Sequence, residues 1–503
     1  MRKWIGLVCV AMLASAPLGA RAASVLNVGL AGDPSALDPA TSGNFLDRNV
    51  FASLCDKLID TDADMHFIPM LATSWEWSAD GLALTLHLRP GVRFQDGTEL
   101  DASAVQVNIL RDKTFPGSVR KGELGAVSSV EVVDPLTVRL HLSAPSAPLL
   151  AVLADRAGIV MSPAAIAREG ANIGQHPVCA GPYSFTERVA QDHITLDRFP
   201  GYWNAAAIHI DRIVYRPIPD SSVRLVNLQS GALQIIDQLA PTDVAAVRGN
   251  PRLAMAQHTA AAYRMLEFNL HHGPRADTPL MHDPRIRLAL EKSIDRNVIN
   301  QVVFNGMFVP NNQTEVPHSL YWDPARPVPG RDLAGARALL AQAGVPHPAF
   351  TLQLANNPID GQVGQVIQSM AGEAGFRVKL EQSDAAAGNQ EDMAGAFDVA
   401  LLTWSGRADP DANLSIFLTC KGPFNYGQYC SPAMDSLLAK ARAITDPAAR
   451  VPLYRQVVAL DQTDLPQIIL YNYTWLWGMS ARLSGFVPNQ DGLIRPQGLV
   501  LKP

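Results

Sequence analysis

Residues 397–413 read FDVALLTWSGRADPDAN and hold the densest chemistry in the chain. Asp398–Thr403 is a short apolar run of the kind that forms a strand buried on both faces. It leads straight into Trp404, Ser405, Gly406 and Arg407, then into a polar turn with Asp409, Pro410 and Asp411. Ligands of open α/β sheets sit just beyond the carboxyl ends of strands. An indole, a guanidinium and two carboxylates delivered there suit a small zwitterionic solute. The competing reading makes Trp404 a core plug and pairs Arg407 with Asp409 or Asp411.

The elements needed to position this stretch are readable around it. Thr351–Leu354 and Phe376–Leu380 read as strands, with a helix over Gln362–Ala374 stopped by Gly375. With Asp398–Thr403 they make βαβ units and a mainly parallel sheet. Asp283 caps a helix begun by Pro284, with Ile286, Ala289, Leu290 and Ile294 on one face. Shorter helices are expected over Asp332–Ala343, Pro432–Ile444 and Pro447–Asp461, the last kinked by Pro452. Tyr263–Leu270 and Leu465–Tyr473 are strands that carry the chain between two lobes, and two crossings make a hinge.

The first half of the chain is richer in turns. Ser24–Leu30 is a strand that feeds a polar loop, and Asn49–Ile59 is a helix candidate with Phe51, Leu54 and Leu58 on one face. Trp75–Leu88 reads as a hairpin: Leu82, Leu84, Leu86 and Leu88 alternate with smaller or polar residues, and Asp80-Gly81 supplies the turn. A second turn follows at Asp96-Gly97, and Asp101 caps a helix carrying Val105, Ile109 and Leu110. Val127–Val133 and Thr137–Leu142 form another hairpin.

Composition sets the outer limits. The chain has 503 residues, enough for two or three domains. Its 48% hydrophobic and 17% charged content is that of a folded globular protein, and a net charge of −6 excludes a strongly basic nucleic-acid binder. Arg2 and Lys3, an apolar run from Trp4 to about Ala14 and the Ala20-Arg21-Ala22 site read as a cleaved signal peptide over residues 1–22. The expected product is a released periplasmic protein and not a lipoprotein, because Cys9 lies inside the apolar run. Four cysteines then remain, an even number in an oxidising compartment. Cys420 and Cys430 flank a Gly/Pro/Asn loop and are the first candidate disulfide; Cys55 and Cys179 pair with each other or stay reduced. The sequence contains no nucleophile elbow, zinc-protease, Walker or dinucleotide motif, and its histidines are scattered. No enzyme, no cofactor and no metal site is expected.

Pro69, Leu71, Ala72, Ser74, Trp75, Ser78, Asp80, Gly81, Thr85, Leu88, Arg89, Gly91, Val92, Phe94, Asp96, Gly97 and Ala102 resemble the signature of the bacterial extracellular solute-binding proteins of the peptide/nickel class. The resemblance continues through Pro182-Tyr183, Tyr202-Trp203, Asp220–Gly231 and Ala289–Ile299. It implies an α/β, two-lobed clamshell with mixed sheets. The first lobe would span 23–265 with an inserted subdomain at about 60–185, and the second 266–473. Residues 474–503 would return to the first lobe.

The resemblance also implies a monomeric receptor that captures a small peptide or peptide-like solute. It would deliver that solute to an inner-membrane ABC permease with its ATPase. Dipeptide- and oligopeptide-binding relatives have Trp-x-x-Asp where this chain has Trp404-Ser405-Gly406-Arg407. Their aspartate pairs with the ligand ammonium; a guanidinium suits a carboxylate instead, often bidentately. This W-S-G-R-x-D-P-D-x-N form resembles a variant near the glutathione and dipeptide branches. The reading therefore gives Arg407 a ligand carboxylate, Asp409 or Asp411 the amine, and Trp404 a flat wall. Tyr263 and Arg264 on the crossing strand, and Asp33 and Asn44 near the N-terminal loop, are further candidates, each equally readable as structure. A nickel-chelate or haem receptor of the same fold is the alternative, and a periplasmic hydrolase or chaperone the third.

Overall fold

The period-two run folds as expected, into antiparallel strands Ala72–Trp77 and Ala83–Leu88. Asp80 stabilises the turn by accepting the Leu82 amide, and Gly81 takes the left-handed φ of +69° that the turn demands. Leu84, Leu86 and Leu88 are buried, whereas Leu82 belongs to the turn and is 37% exposed. With Thr137–Leu142 and Val127–Asp134 these strands make a four-stranded antiparallel sheet. The helix Ala102–Thr114 packs on it, capped by Asp101, whose carboxylate accepts the Ala104 amide at 2.8 Å. Val105 and Ile109 face this core, but Leu110 points outward.

The computed structural model describes residues 23–502, so the expected signal peptide lies outside the described residues. Among the described residues, eleven further strands join one mixed sheet, and two short two-stranded ribbons stand apart from it. In spatial order it runs Arg377–Ser383, Ala349–Ala355, Val399–Trp404, Leu253–Phe268, Gln467–Ser480, Ile235–Ile236, Val25–Leu30, Arg212–Pro217, His193–Arg198 and Tyr183–Val189; Val309–Pro310 adds to the side of Gln467–Ser480. The first three are parallel, joined through the helix Pro358–Ala374, as the βαβ pattern predicts. Val399–Trp404 then pairs antiparallel with Leu253–Phe268.

Leu253–Phe268 and Gln467–Ser480 are longer than the expected crossings because they run through both lobes. They pair antiparallel from end to end, with register shifts between Thr259 and Tyr263 and again between Arg264 and Met265. Such irregularities bend and twist a ladder locally. On one side of them lies a core drawn from Tyr263 to Tyr471. On the other, residues from Leu26 to Tyr215 share a core with Trp477–Leu499, next to the separate core of the four-stranded sheet. No helix among the described residues is long and apolar enough to cross a membrane.

One local expectation changes and two are met. The first helix is Phe45–Leu54, not Asn49–Ile59: Asn44 caps it by accepting the Leu46 amide at 3.0 Å, and the chain turns extended at Cys55. Pro452 lies inside one helix, Pro447–Asp464. Both cysteine pairs, Cys420–Cys430 and Cys55–Cys179, form disulfides.

Candidate ligand-binding cleft

Val399–Trp404 lies between Ala349–Ala355 and the crossing strand, where Trp404 pairs with Tyr263. Its first three residues are buried, but the strand opens toward its carboxyl end. There the backbone turns at Gly406, with φ +73°. A Cβ on Gly406 would stand 2.4 Å from the Ala261 carbonyl oxygen of the crossing strand, so only glycine lets the turn approach this closely. Asn413, on the helix Asp411–Leu418, holds the turn shut. Its Oδ1 accepts from Trp404 Nε1 at 3.0 Å and from the Arg407 amide at 2.8 Å, while its Nδ2 donates to the Arg407 carbonyl at 3.0 Å.

The side chains brought together are those of Trp404, Ser405 and Arg407. Trp404 meets Phe417 edge-on at 5.6 Å, and the Arg407 guanidinium lies 4.7 Å from the Trp404 ring centre. Arg407 Nη1 donates to Ser405 Oγ at 3.0 Å and to the Gly406 carbonyl at 2.7 Å.

Arg407 does not pair with Asp409 or Asp411. It reaches the other lobe, where its Nε lies 3.2 Å from Asp155. Asp155 follows the short helix Leu149–Leu153 and also meets Arg48 at 3.1 Å and Arg156 at 3.6 Å. Arg120 and Arg156 both donate to the Ser42 carbonyl, and Arg120 forks onto Glu123 at 2.8 and 2.9 Å. The lobes touch again where the Ala147 amide donates to the Arg442 carbonyl at 3.0 Å.

Arg48, Arg120, Arg156 and Arg407 thus gather around Asp155 and Glu123, four guanidiniums to two carboxylates at the centre. The electrostatics follow from that imbalance. Burial opposes ionisation of Asp155, yet Arg48, Arg156 and Arg407 hold its carboxyl well below the usual carboxylate range. Burial, helped by the like charges of Arg48 and Arg156, brings the Arg407 guanidinium down to about 10 despite Asp155. Buried cations without enough counter-charge favour an anionic guest.

The other expected residues serve structure. Asp409 is clasped by Arg450, with Nη2 at 2.8 Å and Nη1 also on the carboxylate. Asp411 accepts from Ser415 at 2.6 Å and pairs with Arg442 at 3.1 Å. Neither aspartate is left for a ligand amine. Tyr263 is fully buried and donates to the Asn413 carbonyl at 2.6 Å. Arg264 is buried against Asp360 at 2.5 Å and the Thr403 hydroxyl. Asp33 faces Arg188 at 3.4 Å and accepts the Gln191 amide at 3.1 Å, and Asn44 is the helix cap already described. Among the described residues no group of three or more His, Cys, Asp or Glu is placed to hold a metal.

Arg48, Arg120, Glu123, Asp155 and Arg156 went unnoticed in the sequence. One signal was there: Asp155-Arg156 ends the apolar run Leu149–Ala154, where a charged pair is unusual unless it has partners.

The model of the bacterial extracellular solute-binding proteins, family 5 Middle, matches residues 66–425. The chain belongs to this family. Within it, glutathione-binding protein GsiB of Pectobacterium atrosepticum is 31% identical, covering 98% of this chain and 97% of that one. Its counterpart in Escherichia coli O1:K1 is 29% identical over 95% and 94%. Among solved structures, the binding protein AgaA from A. tumefacien R10 in complex with agropinic acid is 26% identical, with a TM-score of 0.82 over 95% of this chain and 99% of that one. DppA from Helicobacter pylori with the peptide STSA, at 24% identity, shares the fold with a TM-score of 0.83 over 96% and 98%. These neighbours are two-lobed, as the mixed sheet and paired crossings of this family 5 chain indicate. Asp155, Arg156 and Arg407 fall inside the family 5 range, whereas Arg48 precedes it.

Proposed function

We infer that this family 5 protein is the receptor of an ABC importer for a small peptide or peptide-like solute bearing an extra carboxylate, of the glutathione kind. The observation that carries this is Arg407, which crosses the cleft into a cluster of guanidiniums short of counter-charge. Solute binds to one lobe; the other closes over it, and closure is favoured only by contacts made to both. Arg407 comes from one lobe and Arg48 and Arg156 from the other, so one anionic solute would engage both. Trp404 gives the guanidinium a fixed platform, and Asn413 fixes the turn. The loaded protein, a periplasmic monomer, then docks on a membrane permease driven by its ATPase. Its task is binding and not turnover. The nickel-chelate or haem alternative shares the fold; a cluster of guanidiniums favours an organic anion over a metal cation, and the mass of the bound molecule separates haem, with its two propionates, from a peptide-like acid.

Native mass spectrometry of the mature protein, purified from its own periplasm without unfolding, tests the reading. The expected result is a discrete increment matching a peptide-like acid, with Arg407→Ala losing it. An increment matching a metal complex or haem overturns the reading.

A further inference from the structure

Beside Asp155, lobe I holds a small, partly open cavity of about 30 Å³ that Arg407 does not line. Its charged lining is Arg48, Lys57, Asp60, Asp155, Arg156 and Arg495. Three of the four cations have hydrogen-bond partners: Lys57 donates to Asp60 at 2.5 Å, Arg495 to Asp60 at 3.1 Å and Asp491 at 2.6 Å, and Arg156 to the carbonyls of Ser42 and Asn44 at 3.2 and 3.3 Å. Arg48 has Asp155 as its ion-pair partner. It is only 7% exposed and its Nε lies 3.1 Å from Asp155, yet its Nη1, like the Nε of Arg156, finds no hydrogen-bond partner among the described residues. An unmet N–H on a buried guanidinium costs more than an ordinary lost hydrogen bond.

We propose that this cavity is a carboxylate subsite in which Arg48 is the recognising residue. A water needs about 10–15 Å³ of such space. The cavity therefore takes about two water-sized groups, which matches the two oxygens of one carboxylate and is too small for a whole solute. The Arg48 guanidinium lines the cavity and supplies the donor, and the helix Phe45–Leu54 holds it in place. Asp155 stands between Arg48 and Arg407, so the protein's own carboxylate is shared by the subsite and the residue that crosses the cleft. The solute would then present one carboxylate to Arg48 in lobe I and another to Arg407 of lobe II. The identity of the molecule carrying the carboxylate rests on the receptor reading above; the subsite does not.

The test uses acetate as the smallest probe. Thermal unfolding of the full chain is followed with sodium acetate and with sodium chloride at equal ionic strength. Acetate is expected to raise the midpoint saturably and chloride is not. Arg48→Gln should abolish the acetate response, and Arg48→Lys, which keeps the charge but not the fork, should weaken it tenfold or more. Equal responses in wild type and Arg48→Gln overturn the subsite; if Arg48→Gln does not fold, an undiminished response in Arg48→Lys does the same. A second arm titrates reduced glutathione and its glycyl monoethyl ester. Arg48→Lys should cost glutathione tenfold and leave the ester unchanged. Equal losses for both mean that the glycyl carboxylate is not the one in the cavity, which overturns its assignment to that end of the solute. Saturable acetate binding through Arg48 without any glutathione binding leaves the subsite standing and removes the glutathione-like ligand class instead.

Discussion

Two ion-pair arrangements grow from one turn, and they are built on opposite principles. Asp409 and Asp411 each meet an arginine of their own lobe, Arg450 and Arg442, one carboxylate to one guanidinium. Arg407, on the same turn, leaves its lobe and joins three arginines that share Asp155 and Glu123. The balanced pairs fix the helix Asp411–Leu418 against Pro432–Arg442 and Pro447–Asp464. The unbalanced cluster has charge to spare for a guest. Charge in a cleft indicates function when it is left uncompensated, and scaffold when it is matched.

Removing one partner of a balanced pair should give the largest effect. Asp409→Ala leaves the Arg450 guanidinium buried without its counter-ion, and breaking such a pair costs about 3–5 kcal/mol. Urea unfolding should show that loss, while the anion preference of any surviving folded protein stays the same. Gly406→Ala follows. The left-handed backbone and the contact with Ala261 together cost about 2 kcal/mol or more. Because the strain falls on the turn carrying Arg407, this variant should lose stability and solute affinity together, measurable by unfolding and calorimetric titration of one preparation. Arg407→Ala should separate the two quantities. Asp155 keeps Arg48 and Arg156 as counter-ions, so stability should fall by less than in Asp409→Ala, but affinity for a di-acidic solute falls at least tenfold, about 1.4 kcal/mol. A large stability loss with unchanged affinity would make Arg407 scaffold, like its neighbours.

The scaffold half of this comparison could largely be read in the sequence. Leucine alternation at 84, 86 and 88, the turn at Asp80-Gly81 and the caps Asp101 and Asp283 are local patterns, and local patterns survive folding. The crossings were visible as apolar strands, though their full length was not, because their outer halves follow no simple periodicity. The site was only half legible. Trp404 and Arg407 stand out at a strand end, but the charges gathered around Arg407 come from helix Phe45–Leu54, the loop around Arg120 and the end of an apolar run at Asp155, its ion-pair partner. Pairing across such separations depends on how the lobes meet, which periodicity does not encode. Proximity in sequence favoured Asp409 for Arg407; the helix Pro447–Asp464 brings Arg450 closer.

The smallest predicted effect is in pH, where the two arrangements should differ in sign. Asp155 has its carboxyl held well below the ordinary value, so its contribution to stability is present above that value and is lost as pH falls through the depressed one. Asp411 is the reverse: burial, only partly offset by Arg442, raises its carboxyl, so ionisation costs stability at neutral pH and protonation recovers it as pH falls through the raised value. Asp155→Asn should therefore flatten the acid limb of the stability profile, and Asp411→Asn should steepen it. At the alkaline end Arg407, lowered to about 10, should lose its charge before an ordinary arginine does. An anionic solute prefers the charged form, so its affinity should hold below about pH 10 and decline above it. Arg407→Lys should move that decline, whereas Arg442→Lys should not, since Arg442 serves a matched pair. If both variants shifted the decline equally, the cleft would be responding to overall charge, and the distinction between spare and matched arginines would have no bearing on binding.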